Sequence, residues 1–157
     1  MVEAVAQNWL EQILVEHRHL RALEVELKEF LDQPRPRLGE KGAHTWAAEL
    51  SQRILNLHDV LLRHFRFEER ADIVEDLTLH HPEAGKEIEG VLGEHPTMLG
   101  ELRTILSDLL TYSEGVRPEQ PRLRRRVSAL LQTLEAHEQH ENRLIQRLEY
   151  RDLGTAD

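Results

Sequence analysis

Four stretches of the chain carry apolar residues at steps that alternate between three and four, and no other feature constrains the fold as tightly. That spacing keeps side chains on one face of an α-helix, so each stretch predicts an amphipathic helix that must bury its stripe against others. The first stripe is Leu10, Ile13, Leu14, His17, Leu20, Leu27, Leu31; the second is Leu50, Ile54, Leu57, Leu61, His64, Glu68. The third is Ile88, Val91, Leu92, His95, Met98, Leu99, Leu102, Ile105, Leu106, Leu109, and the fourth is Val127, Leu130, Leu134, His137, Glu141, Leu144, Leu148. Proline and glycine break helices for steric reasons, and they cluster at residues 33–39, 80–82 and 115–118. The reading is four helices near residues 3–31, 43–70 with a ragged extension to about 78, 83–113 and 119–151. Short connections between long helices make neighbours antiparallel. The predicted fold is therefore all-α, an up-down-up-down antiparallel four-helix bundle in one domain spanning residues 1–157.

Every stripe is interrupted by histidine or glutamate, and the interruptions meet. In a helical hairpin, two residues equally far from the turn lie at the same height. The midpoint of 17 and 64 is 40.5, that of 64 and 95 is 79.5, and that of 95 and 137 is 116, all in or beside the predicted turns. His17, His64, Glu68, His95, His137 and Glu141 thus converge on one layer of the core. Bare carboxylates among leucines would cost several kcal/mol each, so the layer calls for positive charge. Four imidazoles and two carboxylates suit first-row divalent metals, and two ions bridged by carboxylates match that ligand count. A His and a Glu four apart are about 6 Å apart along the axis. In His64-x-x-x-Glu68 and His137-x-x-x-Glu141, the imidazole can bind one ion while the carboxylate reaches both. A core of hydrogen-bonded His and Glu without metal is one competing reading. A single tetrahedral zinc is another, but it would leave two ligands idle.

Composition narrows the remaining choices. The chain has no cysteine, which excludes thiolate metal sites, disulfides and cysteine nucleophiles. A formal charge of −9 argues against nucleic acid as the main partner, and the one basic run, Arg122 to Arg126, reads as a solvated helical turn. No stretch approaches the roughly 20 apolar residues of a membrane span, and no signal-like segment opens the chain. The expectation is a cytoplasmic protein without membrane partners.

Glu16-His17, His64-Phe65-Arg66-Phe67-Glu68-Glu69, Glu94-His95 and His137-Glu138-Gln139-His140-Glu141, in that order, resemble the hemerythrin-like, or HHE cation-binding, domain family over nearly the whole chain. The resemblance implies two iron ions, joined by an oxo, hydroxo or water bridge. By it, His17 and His64 serve one iron, His95 and His137 the other, and Glu68 and Glu141 bridge. It further implies an open position for dioxygen, peroxide or nitric oxide. One departure matters: oxygen-carrying members have a second histidine four residues before the third-helix ligand, where this chain has Val91. The missing ligand leaves room for an exogenous ligand or a substitute such as Glu94, and makes the site nearly two-fold. Pro96, just after His95, predicts a kink or a new segment there.

The other histidines read as peripheral. His19 and His58 lie about 200° and 100° around their helices from the stripe, and His44, His80 and His81 fall in or near turns. His140 reads as solvated or as a partner behind a ligand. Glu16-x-x-His19 is an isolated copy of the Glu-x-x-His pattern of ferritin-like proteins, which needs two copies. Other catalytic signatures are absent, which leaves metal as the source of any chemistry. The sequence expectation is a di-iron protein that binds or senses a small ligand or iron itself. A di-iron peroxidase or oxidase and an iron-buffering bundle are the alternatives.

Overall fold

The computed structural model describes residues 2–33, 40–113 and 120–154, and all of its regular structure there is helical. Four long helices form the body: α1 (Val2–Asp32), α2 (Glu40–Glu68), α5 (His95–Ser113) and α6 (Gln120–Gly154). Two short helices, α3 (Ala71–His80) and α4 (Gly85–Gly93), link α2 to α5 through a 3₁₀ turn at Pro82–Ala84. The long helices pack as a ring in which α1 and α5 each lie against both α2 and α6. The turns expected at residues 33–39 and 115–118 fall largely outside the described residues; the one at 80–82 is present.

Two breaks interrupt the four predicted helices, one in the extension after residue 68 and one beside Pro96, where the sequence predicts a kink or a new segment. The extension after residue 68 is a separate helix, because Arg70 leaves the helical region with φ −60° and ψ 111°. A helix end strands carbonyls, and the Trp9 indole N–H takes one of them, donating to the Phe67 oxygen at 2.8 Å. The third helix is two, parted at Glu94. Pro96 has no N–H to continue the ladder, so the Glu94 N–H closes α4 on the Val91 oxygen, and α5 starts afresh with the Met98 N–H on the Glu94 oxygen.

The stripes bury as two apolar clusters at opposite ends of the bundle. One gathers Leu27 and Phe30 near the end of α1, Trp46 and Leu50 near the start of α2, Leu109 near the end of α5 and Leu123 near the start of α6. Ends and starts meet there, so consecutive long helices run in opposite directions. The second cluster joins Leu10 and Ile13 of α1, Ile73 and Leu77 of α3, Ile88 and Val91 of α4, and Leu144 and Leu148 of α6. The short helices thus close the open end of the bundle. Between the clusters lies the layer of His17, His64, Glu68, His95, His137 and Glu141, all buried.

Candidate metal centre

The six predicted residues meet as two groups that share both carboxylates: His17, His64, Glu68 and Glu141 in one, and Glu68, His95, His137 and Glu141 in the other. In each group the possible ligand atoms all lie within 4.8 Å of one another. Glu68 touches His64 through their i,i+4 spacing on α2, and lies 3.4 Å from His17 Nε2 and 3.1 Å from His95 Nε2. Glu141 repeats the pattern from α6, at 2.5 Å from His137 Nε2, 2.9 Å from His17 Nε2 and 3.5 Å from His95 Nε2. The ring pairs match as well. His17 and His64 have centroids 4.9 Å apart at 66°, and His95 and His137 have centroids 5.0 Å apart at 71°.

All four imidazoles turn Nε2 inward because Nδ1 is committed outward. Nδ1 of His64 faces Glu16 at 2.7 Å, that of His137 faces Glu94 at 2.7 Å, that of His95 faces Glu69 at 2.8 Å, and that of His17 faces the Asn142 side-chain oxygen at 2.7 Å. An Nδ1–H donated to an oxygen leaves Nε2 as a lone pair. Lone pairs of nitrogen and carboxylate then converge in a buried space. His17 Nε2, His64 Nε2, His137 Nε2, both Glu68 oxygens and Glu141 Oε2 are buried with no polar partner outside this cluster. Such an arrangement needs a cation, either protons on the rings or metal between them.

Without metal, protons fill that role. Burial opposes charge on His17, but the close carboxylates of Glu141 and Glu68 outweigh it and raise its pKa to about 10. His95 is raised to about 10 by the same two carboxylates against the same burial. Burial pushes Glu68 and Glu141 upward, yet the surrounding imidazoles win and hold both below the ordinary carboxylate range.

A cavity of about 50 Å³ opens beside the two carboxylates. Trp9, Ile13, Ile88, Val91 and Leu144 are among its walls, with Glu68 and Glu141 at one end. Val91 is buried there, in the cavity wall. Glu94, considered above as a substitute ligand, instead holds His137 from outside. His19 is exposed, His58 pairs with Asp59, and His140 joins Glu87 and Arg147 at the surface. His44 and His80 are exposed; His81 is buried at the end of α3, outside both ligand groups. In the basic run, Arg124 donates to the Leu31 oxygen that ends α1, and Arg126 pairs with Glu101 and Asp108.

Sequence reasoning missed the outer partners and one further pair. Glu16 and Glu94 each precede one of the four clustered histidines, and Glu69 and Asn142 each follow one of the two shared glutamates. That regularity was the available signal, but side chains one residue off the stripe read as surface. Glu24 and Glu138, only 7% and 6% exposed, form a buried acid pair between α1 and α6. Burial and the Glu24 carboxyl push Glu138 up to about 9, and burial raises Glu24. Glu24 lies on the first stripe, between Leu20 and Leu27, which was its signal. Compared with family models, curated proteins and solved structures, the chain finds no match.

Proposed function

We propose that this chain is a non-haem di-iron protein, hemerythrin-like in the order of its ligands, that binds a small apolar diatomic molecule such as dioxygen or nitric oxide. His17 and His64 would hold one ion and His95 and His137 the other, with Glu68 and Glu141 shared between them. The observation that carries the reading is the pair of ligand groups sharing both carboxylates, with every imidazole held from behind so that Nε2 points inward. Nitrogen and oxygen donors together suit iron, and outward Nδ1 partners are what orient metal-binding histidines. Bound iron would supply one-electron chemistry and open coordination positions.

The chain's own residues select what reaches that place. The apolar walls beside Glu68 and Glu141 suit an uncharged diatomic. Peroxide could donate to Glu68 and Glu141 at the cavity end, but the apolar walls offer it no free hydrogen-bond donor. Trp9 has the only wall side chain with a polar hydrogen, and that hydrogen is committed to the Phe67 oxygen. The glutamates at the cavity end are acceptors.

The iron-loaded protein, titrated with dioxygen, nitric oxide and hydrogen peroxide under a spectrophotometer and assayed with a peroxidase dye, tests this. The expected result is a spectrum that changes with either gas, reverts when the gas is removed, and accompanies no dye turnover. Sustained turnover with peroxide would make the protein an enzyme instead. Stable iron with no spectral response to any ligand would leave an iron buffer.

A further inference from the structure

The centre is built as a repeat, and the places where the repeat fails are informative. Glu16-His17 corresponds to Glu94-His95, and His64-x-x-x-Glu68 corresponds to His137-x-x-x-Glu141. The outer partners obey the same relation. Glu16 holds His64 as Glu94 holds His137, and the residue after Glu68 holds His95 as the residue after Glu141 holds His17. In that last correspondence Glu69 is a carboxylate and Asn142 an amide. One more correspondence fails. The residue after His64 is Phe65, and the residue after His137 is Glu138.

We infer that the two metal positions are unequal: the one at His95 and His137 loads first and holds its ion, and the one at His17 and His64 loads last and exchanges. This rests on the di-iron reading above. A carboxylate behind Nδ1 makes a charge-assisted bond and pushes electron density toward Nε2, which strengthens the nitrogen as a ligand; an amide oxygen does less. Both histidines of the first-loading position have carboxylates behind them, Glu69 and Glu94, whereas the other position has Glu16 and the neutral Asn142. These carboxylates are partly exposed, which weakens their field at a distance but leaves the direct contact to the ring.

The second failed correspondence points the same way by a different route. The Phe65 ring stacks on His95 at 3.8 Å and 4° and meets His137 edge-on at 5.7 Å, so these rings are fixed by apolar contact. In the matching place beside His17 stands Glu138, on a surface depression of about 260 Å³ that His17, Arg18, Arg21 and Asn142 also line. The surroundings of His17 on that side are polar. Phe65 covers His95 on the other.

Calorimetric titration of metal-free protein with ferrous ion under anaerobic conditions tests the inference, using Asn142→Asp and Glu69→Gln as near-isosteric swaps at partly exposed positions. The parent should bind in two steps. Asn142→Asp should tighten the weaker step about 10- to 100-fold and leave the tighter one in place, and Glu69→Gln should weaken the tighter step by a similar factor. Circular dichroism of each variant confirms that helicity is kept, and a gain of affinity in Asn142→Asp is not a result that structural damage produces. Two ions bound with one indistinguishable affinity would overturn the inference while leaving the di-iron reading standing. So would tightening of the stronger step by Asn142→Asp. Failure of the parent to bind ferrous ion at all would overturn the di-iron reading itself, and this inference with it.

Discussion

What each imidazole does at the centre is decided on its far side, where Glu16, Glu69, Glu94 and Asn142 fix Nδ1 and aim Nε2 inward. In the metal-free protein His17 and His95, raised to about 10, still carry protons at neutral pH. Loading metal must displace them, so calorimetry at pH 7.5 in buffers of different ionisation enthalpy should detect at least two protons released, from His17 and His95 and in part from His64 and His137, whose pKa values the glutamates also raise. Glu68→Gln and Glu141→Gln each remove a shared carboxylate and should abolish the paired site, whereas His19→Ala and His58→Ala should leave metal content unchanged and stability within about 0.5 kcal/mol. Equal metal loss in all four variants would show the phasing of α1 and α2 to be wrong. Glu138 gives a separate test. Its folded pKa of about 9 exceeds its unfolded value of 4.5, so the native state binds the extra proton and stability falls as pH rises between those values. Glu138→Gln removes that loss. Its thermal midpoint should pull ahead of the parent's from pH 5 to pH 9 and coincide with it below about pH 4; a constant difference across the range would contradict the buried acid pair. The six inward residues were legible in the sequence because they break apolar stripes. Asn142 and the outer glutamates were not, since a residue one step off a stripe becomes functional only through a neighbouring helix.

At the scale of elements, the long stripes were legible and the breaks only partly so. Pro96 announces the start of α5, because a missing N–H is a property of the sequence itself. The end of α2 at Glu68 has no proline or glycine to mark it; Trp9, far away on α1, supplies the hydrogen for the Phe67 oxygen. α3 and α4 therefore appear as extra pieces, and their packing gives the second apolar cluster and the cavity walls. Val91 on α4 lies in that wall beside both shared carboxylates. Val91→His should fill the cavity and offer a nitrogen there, which predicts tighter iron binding and a weaker spectral response to nitric oxide and dioxygen. Overpacking would cost about 1–3 kcal/mol if the ring cannot reach the metal, so the thermal midpoint belongs beside the spectrum. Iron affinity and ligand response both equal to the parent's, in a folded variant, would mean that small ligands do not use this cavity.

Across the whole molecule, a polar layer is held between two apolar clusters. Leu57 and Ile105 are essentially unexposed, and truncating either to alanine should cost about 2–5 kcal/mol in denaturant unfolding of the metal-free protein. The matched heights of the layer were legible from hairpin midpoints alone, since alternating helix directions make distance from the turn equivalent to height. None of the described helices is long and apolar enough to cross a bilayer. Metal bound only by the folded chain adds stability by mass action, about 4 kcal/mol at a free concentration a thousandfold above Kd. The most direct test of the central claim is elemental analysis of the protein after anaerobic loading with ferrous ion and desalting. The account predicts about two iron atoms per chain, one for each ligand group, and loss of the pair in Glu68→Gln and Glu141→Gln. Iron that washes away completely, or one zinc per chain with no iron uptake, would contradict it.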